Sequence, residues 1–179
     1  TLRTSSAASD VYKRQVFYSD AMEDLSNFAI KHNIPVTQTV MGYSTMKRDH
    51  SHFLGPIGGL GGKAANNLAK QTDLAIAVGT KLADFTTGSW ANFENPNFSL
   101  VSVNVSRFDA SKHLAQSVIG DAKVSLQELS NALGDWKAPD EWHKKSRDEL
   151  KNWNDYVDKE SGPTNQELPS YAHAVGACL

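Results

Sequence analysis

One cysteine, Cys178, is all the thiol chemistry this sequence offers. It leaves no internal disulfide and no Cys-based zinc site to build, and such sparing use fits a reducing, cytoplasmic setting. No apolar run approaches the roughly 20 residues that cross a bilayer, and no hydrophobic segment follows the N-terminal charges, so neither a membrane span nor export is expected. A basic excess is missing too: 18 Lys and Arg face 20 Asp and Glu, a net charge of -2. With nothing to track a phosphate backbone, nucleic acid is not an expected partner. No segment of 20 to 50 residues repeats, which excludes solenoids and propellers. What remains is 179 residues, 40% hydrophobic, enough for one domain with a real core.

Residues 1–15 are polar and show no sustained apolar period, so they read as a tail foreign in character to the rest of the chain. Patterning begins at Val16. Asp20, with Glu23 three positions on, is placed to cap a helix whose stripe is Met22, Leu25, Phe28 and Ala29 and which ends near Asn33. Pro35 introduces a short strand over 36–40. Residues 41–57 read as loop. Within them Asp49, His50 and His52 invite a metal reading, but two histidines two apart with no further ligand set favour structural or solvated side chains.

The stretch 55–87 organises the chain: a glycine-rich turn, a small-residue helix, a buried strand and a polar loop at that strand's carboxyl end. Gly59, Gly61 and Ala64 satisfy G-x-G-x-x-A, yet no clear strand leads into them, as a dinucleotide fingerprint requires. Gly62-Lys63 resembles the end of a phosphate-binding P-loop, but Ile57 stands in place of its first glycine and Ala64 in place of the metal-binding hydroxyl, so that reading is rejected. Two readings stay open: the glycines let backbone approach a ligand, or they serve packing alone. Residues 73–80, with LAIAVG at their centre, have the continuous apolar character of a parallel strand covered on both faces. Its exit carries Asp84, Thr86, Thr87 and Ser89 with Phe85 and Trp90 among them.

Further strands are expected at 99–105 and 116–119, with a short helix over 110–115 between them. Asp121 caps a helix stopped by Gly134. Pro139 begins a long helix whose Trp142, Leu150, Trp153 and Val157 share a face suited to docking rather than to a cofactor. SGPTNQ reads as a linker, and Ser170 caps a helical pattern that the sequence cuts off. Strands alternating with helices predict an open, mostly parallel, Rossmann-like α/β sheet with helices on both faces.

The strings LGPIG, DFTTGSW, FDASKH and GDA, in this order, resemble the central domain of thiamine-diphosphate-dependent enzymes, the group that includes acetolactate synthase and pyruvate oxidase. DFTTGSW at 84–90 and FDASKH at 108–113 are most similar to the branch that hydrolytically opens a trihydroxylated cyclohexane-1,2-dione in myo-inositol catabolism. The resemblance divides the chain into a tail (1–15), the central domain (16–137), a long helix and linker (138–167), and the truncated start of the pyrophosphate-binding domain (168–179). It also implies that the domain's first strand is missing.

By resemblance, the full-length enzyme is a homo-oligomer acting on a small cyclic dione. It uses thiamine diphosphate and Mg2+ held mainly by domains absent here, so this fragment alone is inactive and supplies no catalytic residue or metal ligand. Gly59, Gly61, Gly62, Asp84, Thr86 and Thr87 are the residues expected to face substrate, cofactor or the neighbouring domain. Related central domains hold FAD or ADP, though a hydrolase gives no reason to favour a flavin. Two alternatives stand beside this: an acetolactate-synthase-type fragment, and an autonomous nucleotide-binding module using residues 58–63 and the Asp84 loop.

Overall fold

A strand buried on both faces must bring two different sets of side chains to two different layers. In the computed structural model, which describes residues 7–11, 15–162 and 168–178, six parallel strands and eight helices alternate along the chain. They run β1 (Ala7–Val11), α1 (Gln15–Tyr18), α2 (Met22–His32), β2 (Val36–Gln38), β3 (Phe53–Pro56), α3 (Lys63–Ala69), β4 (Leu74–Val78), α4 (Asp84–Thr87), β5 (Ser99–Asn104), α5 (Arg107–Ala110), β6 (Gln116–Ile119), α6 (Ala122–Leu133), α7 (Asp140–Ser161) and α8 (Tyr171–Gly176). The sheet order is β3-β2-β1-β4-β5-β6, with every pairing parallel. This is the open α/β sheet that the sequence predicts.

The strand expected to be missing is present. Residues 7–11 fill the slot between β2 and β4, with Ser9 opposite both Val36 and Ile76. Sequence reading passed over them because Ala-Ala-Ser-Asp-Val offers no apolar run, whereas the two neighbouring strands leave a gap of one strand's width. The rest of the polar tail and the centre of the linker lie outside the described residues.

Strand β4 shows how the layers form. Ile76 and Val78 join the layer with Leu25 and Phe28 of α2 and Leu126 of α6, while Ala75 and Ala77 face the other layer with Leu82, Leu100 and the rings of Trp90, Phe93 and Phe98. The alanines leave room for an aromatic-rich connection in place of a regular helix. Each fully buried Leu, Val or Ile contributes about 1.5–3 kcal/mol. A third cluster, Leu54, Ile57, Ala64, Ala65, Leu68 and Trp142, packs α3 and α7 over the β3 end of the sheet.

Several helix ends follow the sequence. Asp121 accepts from the N–H groups of Lys123 and Val124, Gly134 (φ +58°) closes α6, and Ser170 forms a capping box with His173. Asp20 does not cap α2: it adopts φ 51° in the preceding turn, and Ala21 is the N-cap without a side-chain bond. Asn33, at φ 55°, ends the helix as expected.

The docking face expected for the long helix is turned inward, onto its own domain. Helix α7 begins beside Asn33, whose side-chain amide donates to Asp140 Oδ1 (3.0 Å). One turn later it meets a histidine cluster. His52 Nε2–H donates to Asn33 Oδ1 (3.3 Å), its Nδ1 accepts from Ser51 Oγ (2.9 Å), and its ring lies 4.3 Å from that of His143. His50 Nδ1 accepts from the His52 N–H (3.1 Å) and its Nε2 pairs with Ser26 Oγ (2.8 Å). The histidines therefore serve structure, and among the described residues no group of three or more His, Cys, Asp or Glu could hold a metal ion.

Burial, then the nearby His143, His50 and Arg147, pull the pKa of His52 from 6.5 down to about 4. The folded state holds His52 neutral while the unfolded chain protonates it, so stability present above about pH 6.5 is lost as pH falls toward 4. Urea unfolding across this window should show that loss, and His52→Gln, which keeps a donor toward Asn33, should lose less over the same interval.

Candidate functional site

In an open α/β sheet the carboxyl ends of the strands carry the connections that meet ligands. Strand β3 leads directly into the glycine turn, with Gly55 opposite Thr37 and Pro56 opposite Gln38, which corrects the expectation that no strand precedes it. Its brevity and its Gly-Pro ending hid it, and only an edge strand tolerates proline there. The strand–turn–helix context of the G-x-G-x-x-A pattern is thus present.

The N–H donors of the turn's four glycines are nevertheless committed within the protein. Gly58 N–H donates to Asn66 Oδ1 (2.9 Å), Gly59 N–H to the Phe85 carbonyl (2.8 Å), Gly61 N–H to the Gly58 carbonyl (2.8 Å) and Gly62 N–H to the Pro56 carbonyl (2.8 Å). A phosphate cradle needs such groups free. These residues do not fit the diphosphate of a thiamine cofactor, and no step through that group is assigned to this turn.

Steric crowding explains the glycines individually. Gly58 has φ +106°, and a Cβ there would lie 2.5 Å from the Phe85 carbonyl oxygen. At Gly61 a Cβ would come within 2.6 Å of the Gly58 nitrogen, and at Gly62 within 3.0 Å of Trp153 Nε1 on α7. Gly59 has more room, its nearest neighbour being the edge of the Phe85 ring at 3.4 Å.

The turn thereby abuts α4, and two asparagines clamp the junction. Asn66 Nδ2 donates back to the Gly58 carbonyl (3.1 Å), while the amide of Asn92, a buried residue, donates to Asn66 Oδ1 (3.2 Å) and the Thr86 carbonyl (3.4 Å). Sequence reasoning missed both, since nothing local pairs positions so far apart. Within α4 the predicted residues divide. Thr86 and Thr87 are buried, and Thr87 Oγ1 accepts from the Trp90 N–H (3.2 Å); Asp84 and Phe85 are exposed. Of the six predicted residues, Gly59 and Asp84 therefore lie at the surface, Gly62 faces α7, Gly61 is folded onto its own turn, and Thr86 and Thr87 support the loop from within.

A second polar group, also missed, bridges the reversal in strand order between β1 and β4. Gln15 Nε2 donates to Asn104 Oδ1 (2.9 Å), which also accepts from the Ser106 N–H (2.9 Å), and Asn104 Nδ2 donates to the Thr80 carbonyl (3.2 Å). Gln15, set with the tail by its sequence, is part of the folded unit.

The two narrow sequence strings also meet. Trp90 and His113 lie with ring centroids 4.5 Å apart, and each sits in a pair of non-glycine residues at positive φ: Ser89 and Trp90 at 53° and 72°, His113 and Leu114 at 61° and 58°. In the second string Lys112 Nζ binds Asp109 Oδ1 at 2.8 Å, and this bond holds the Asp109 carboxyl below its ordinary range.

Gly61→Ala should cost about 1–3 kcal/mol, because its new methyl group meets backbone atoms that cannot rotate away. Gly59→Ala should cost less than about 1 kcal/mol, since the Phe85 ring can give. Chemical denaturation of the two variants checks the contrast.

Residues 11–129, more than half of the chain, match the family model described as thiamine pyrophosphate enzyme, central domain. A 3D-(3,5/4)-trihydroxycyclohexane-1,2-dione hydrolase from Clostridium perfringens (strain 13 / Type A) is 48% identical over 118 residues, which are 66% of this chain and 18% of the relative. Proteins of the same name from Geobacillus thermodenitrificans (strain NG80-2) and Bacillus anthracis (strain CDC 684 / NRRL 3495) are 36% and 33% identical over 175 and 178 residues, each alignment covering 92% of this chain and 27% and 28% of the relative. The matched part thus amounts to between about a fifth and a little over a quarter of those proteins. The fold, the strand-turn-helix at residues 53–69 and the family match together identify the chain as a member of the thiamine pyrophosphate enzyme central-domain family.

Proposed function

We propose that this chain is the central domain of a thiamine-diphosphate-dependent hydrolase that opens the trihydroxycyclohexane-1,2-dione ring in myo-inositol catabolism. The observation that carries the reading is the 48% identity over 118 residues to a relative of that name. Support also comes from the residues themselves, because DFTTGSW and FDASKH, similar to that branch of the family, converge at the Trp90–His113 contact. The full-length protein is then a cytoplasmic homo-oligomer acting on a small molecule. No helix among the described residues is long and apolar enough to cross a membrane.

Thiamine diphosphate supplies an electron sink for cleavage of a carbon–carbon bond adjacent to a carbonyl, with water completing the hydrolysis. In this reading the cofactor and its Mg2+ are held by domains outside this chain. The contribution of the present residues is positional. Asn66 and Asn92 fix the glycine turn against α4, Thr87 pins the backbone at Trp90, and Asp84 and Gly59 are presented at the carboxyl end of the sheet, where a wall of the substrate cavity would stand. Asp84, an exposed carboxylate on a backbone held from beneath, is the side chain among them suited to accept a hydrogen bond from a ring hydroxyl.

The full-length protein should turn over the dione only with thiamine diphosphate and Mg2+, lose activity on chelation and dialysis, and form no acetolactate from pyruvate. The 179-residue chain alone should be inactive; turnover by it would overturn the reading. In the full-length enzyme, Asp84→Asn should lower kcat/KM while changing stability by less than about 0.5 kcal/mol. Thr87→Ala should instead cost about 1–2 kcal/mol of stability by leaving the Trp90 N–H without its acceptor. Steady-state kinetics paired with thermal unfolding separate the two effects.

A further inference from the structure

Where α7 passes the edge strand β3 and the start of α3, it closes a small cavity of about 110 Å³. Pockets for drug-sized ligands run to roughly 300–1,000 Å³, so this one admits only a small ion or the head of a larger molecule. Leu54 and Leu150 give it apolar walls. Gly55 lines it as bare backbone: at φ +102°, it has nothing within 4 Å of the point where a Cβ would stand. Open space, and not the crowding found at Gly58 and Gly61, adjoins this glycine.

Three side chains bring N–H donors to this cavity, the Arg48 guanidinium, the Trp153 indole and the Asn154 amide, and none of these donors has an acceptor among the described residues. Arg48 contrasts with Arg147, whose Nη1 is committed to the Ser51 and Phe53 carbonyls (3.0 and 2.9 Å). Trp153 is held in place: its ring stacks on that of Tyr156 at 5.6 Å, and its Nε1 lies 3.0 Å from the point that a Cβ on Gly62 would occupy. Asn154 follows it on the helix. Among the described residues no carboxylate lines the cavity. The two next to its lining residues on α7 are engaged elsewhere, Glu149 by Asn67 Nδ2 (3.1 Å) and Asp155 by Lys151.

We propose that this cavity is a binding site for a small oxyanion, a phosphate or a carboxylate group, held by Arg48, Trp153 and Asn154. A planar guanidinium donates in parallel to two oxygens of such a group, and the indole and the amide add neutral donors. Apolar walls lower the local dielectric and strengthen these bonds. The glycine turn, whose N–H groups are spent within the domain, takes no part beyond seating the indole at Gly62. A bound anion would tie the loop between β2 and β3, which carries Arg48, to α7, and so hold the long helix against its own domain. The site stands on this chain's own residues and is independent of the enzymatic reading.

Titration of the full-length protein with sodium phosphate, and separately with sodium acetate, at constant ionic strength tests the site. The protein is first saturated with thiamine diphosphate, which fills any diphosphate site in other domains. Calorimetry should show saturable binding of one equivalent per chain, and Tm should rise because the anion binds the folded state. Arg48→Gln, at an exposed position, and Trp153→Phe, which keeps a ring against Gly62 but lacks the N–H, should each weaken that binding roughly tenfold. Saturation by phosphate alone assigns the site to phosphates, by acetate alone to carboxylates, and by both to the shared oxyanion chemistry; each supports the proposal. No saturable binding of either anion, or an affinity unchanged in either variant, overturns it. So does an equal loss in Arg107→Gln, at an exposed arginine of α5, which would denote diffuse attraction to surface charge.

Discussion

Double-sided burial of β4 is the constraint from which the rest of this fold follows. Ile76 and Val78 present branched side chains to the layer built by α2 and α6, and that layer closes by regular helix-on-sheet packing. Ala75 and Ala77 present almost nothing to the other side. A layer with so little projection from the sheet must be filled from above, and Trp90, Phe93 and Phe98 fill it. The connection from β4 to β5 cannot then be a plain helix. It is the single turn of α4 followed by left-handed Ser89 and Trp90, which direct the indole into the gap. The shape of the candidate site is in this sense a consequence of two alanines.

The glycine turn answers to the same geometry. For α4 to be short and still anchored, its backbone needs a partner, and Gly58 and Gly59 supply one, Gly58 at a contact distance that no side chain would permit. Asn66 and Asn92 complete the junction with three amide hydrogen bonds, two of them to backbone carbonyls. A turn that uses its N–H groups in this way is rigid, but it has surrendered the donors that would let it bind an anion unaided. Rigidity and self-sufficiency as a phosphate site are alternatives here, and the structure takes the first.

Which features were legible in the sequence depends on whether their physics is local. LAIAVG announced β4 because a run without polar interruption leaves few other conformations, and Asp121, Gly134 and Ser170 marked helix ends because capping acts within three or four residues. Strand β1 was illegible since its place is set by the edges of β2 and β4 rather than by its own side chains. Strand β3 was hidden by a glycine and a proline that only its edge position excuses. Asp20 misled because its carboxylate matches a capping pattern whose backbone geometry belongs to Ala21. At the site, DFTTGSW was recognisable as a string, but nothing in it says that Asp84 turns out while Thr86 and Thr87 turn in, nor that Asn92 reaches back to Asn66.

Polar groups are satisfied differently at the two poles. At the amino pole the end of α2 is sealed: His32 pairs with the Trp136 carbonyl at 2.7 Å and Ser130 Oγ at 2.9 Å, and Asn33 bridges the Ala138 carbonyl and Asp140. Those bonds join segments about a hundred residues apart and leave little for another surface to contribute. At the carboxyl pole, hydrogen bonds such as Gln15 to Asn104 and Gly59 to Phe85 are spent holding loops in place, while the side chains those loops carry outward are Phe17, Tyr43, Leu60 and Phe85. A surface whose backbone is ordered at the expense of its own donors thus presents these apolar side chains, with Asp84 among them, on loops held rigid from within. The glycine turn is ordered by the same expenditure, its four glycine N–H groups all being held by acceptors within the domain.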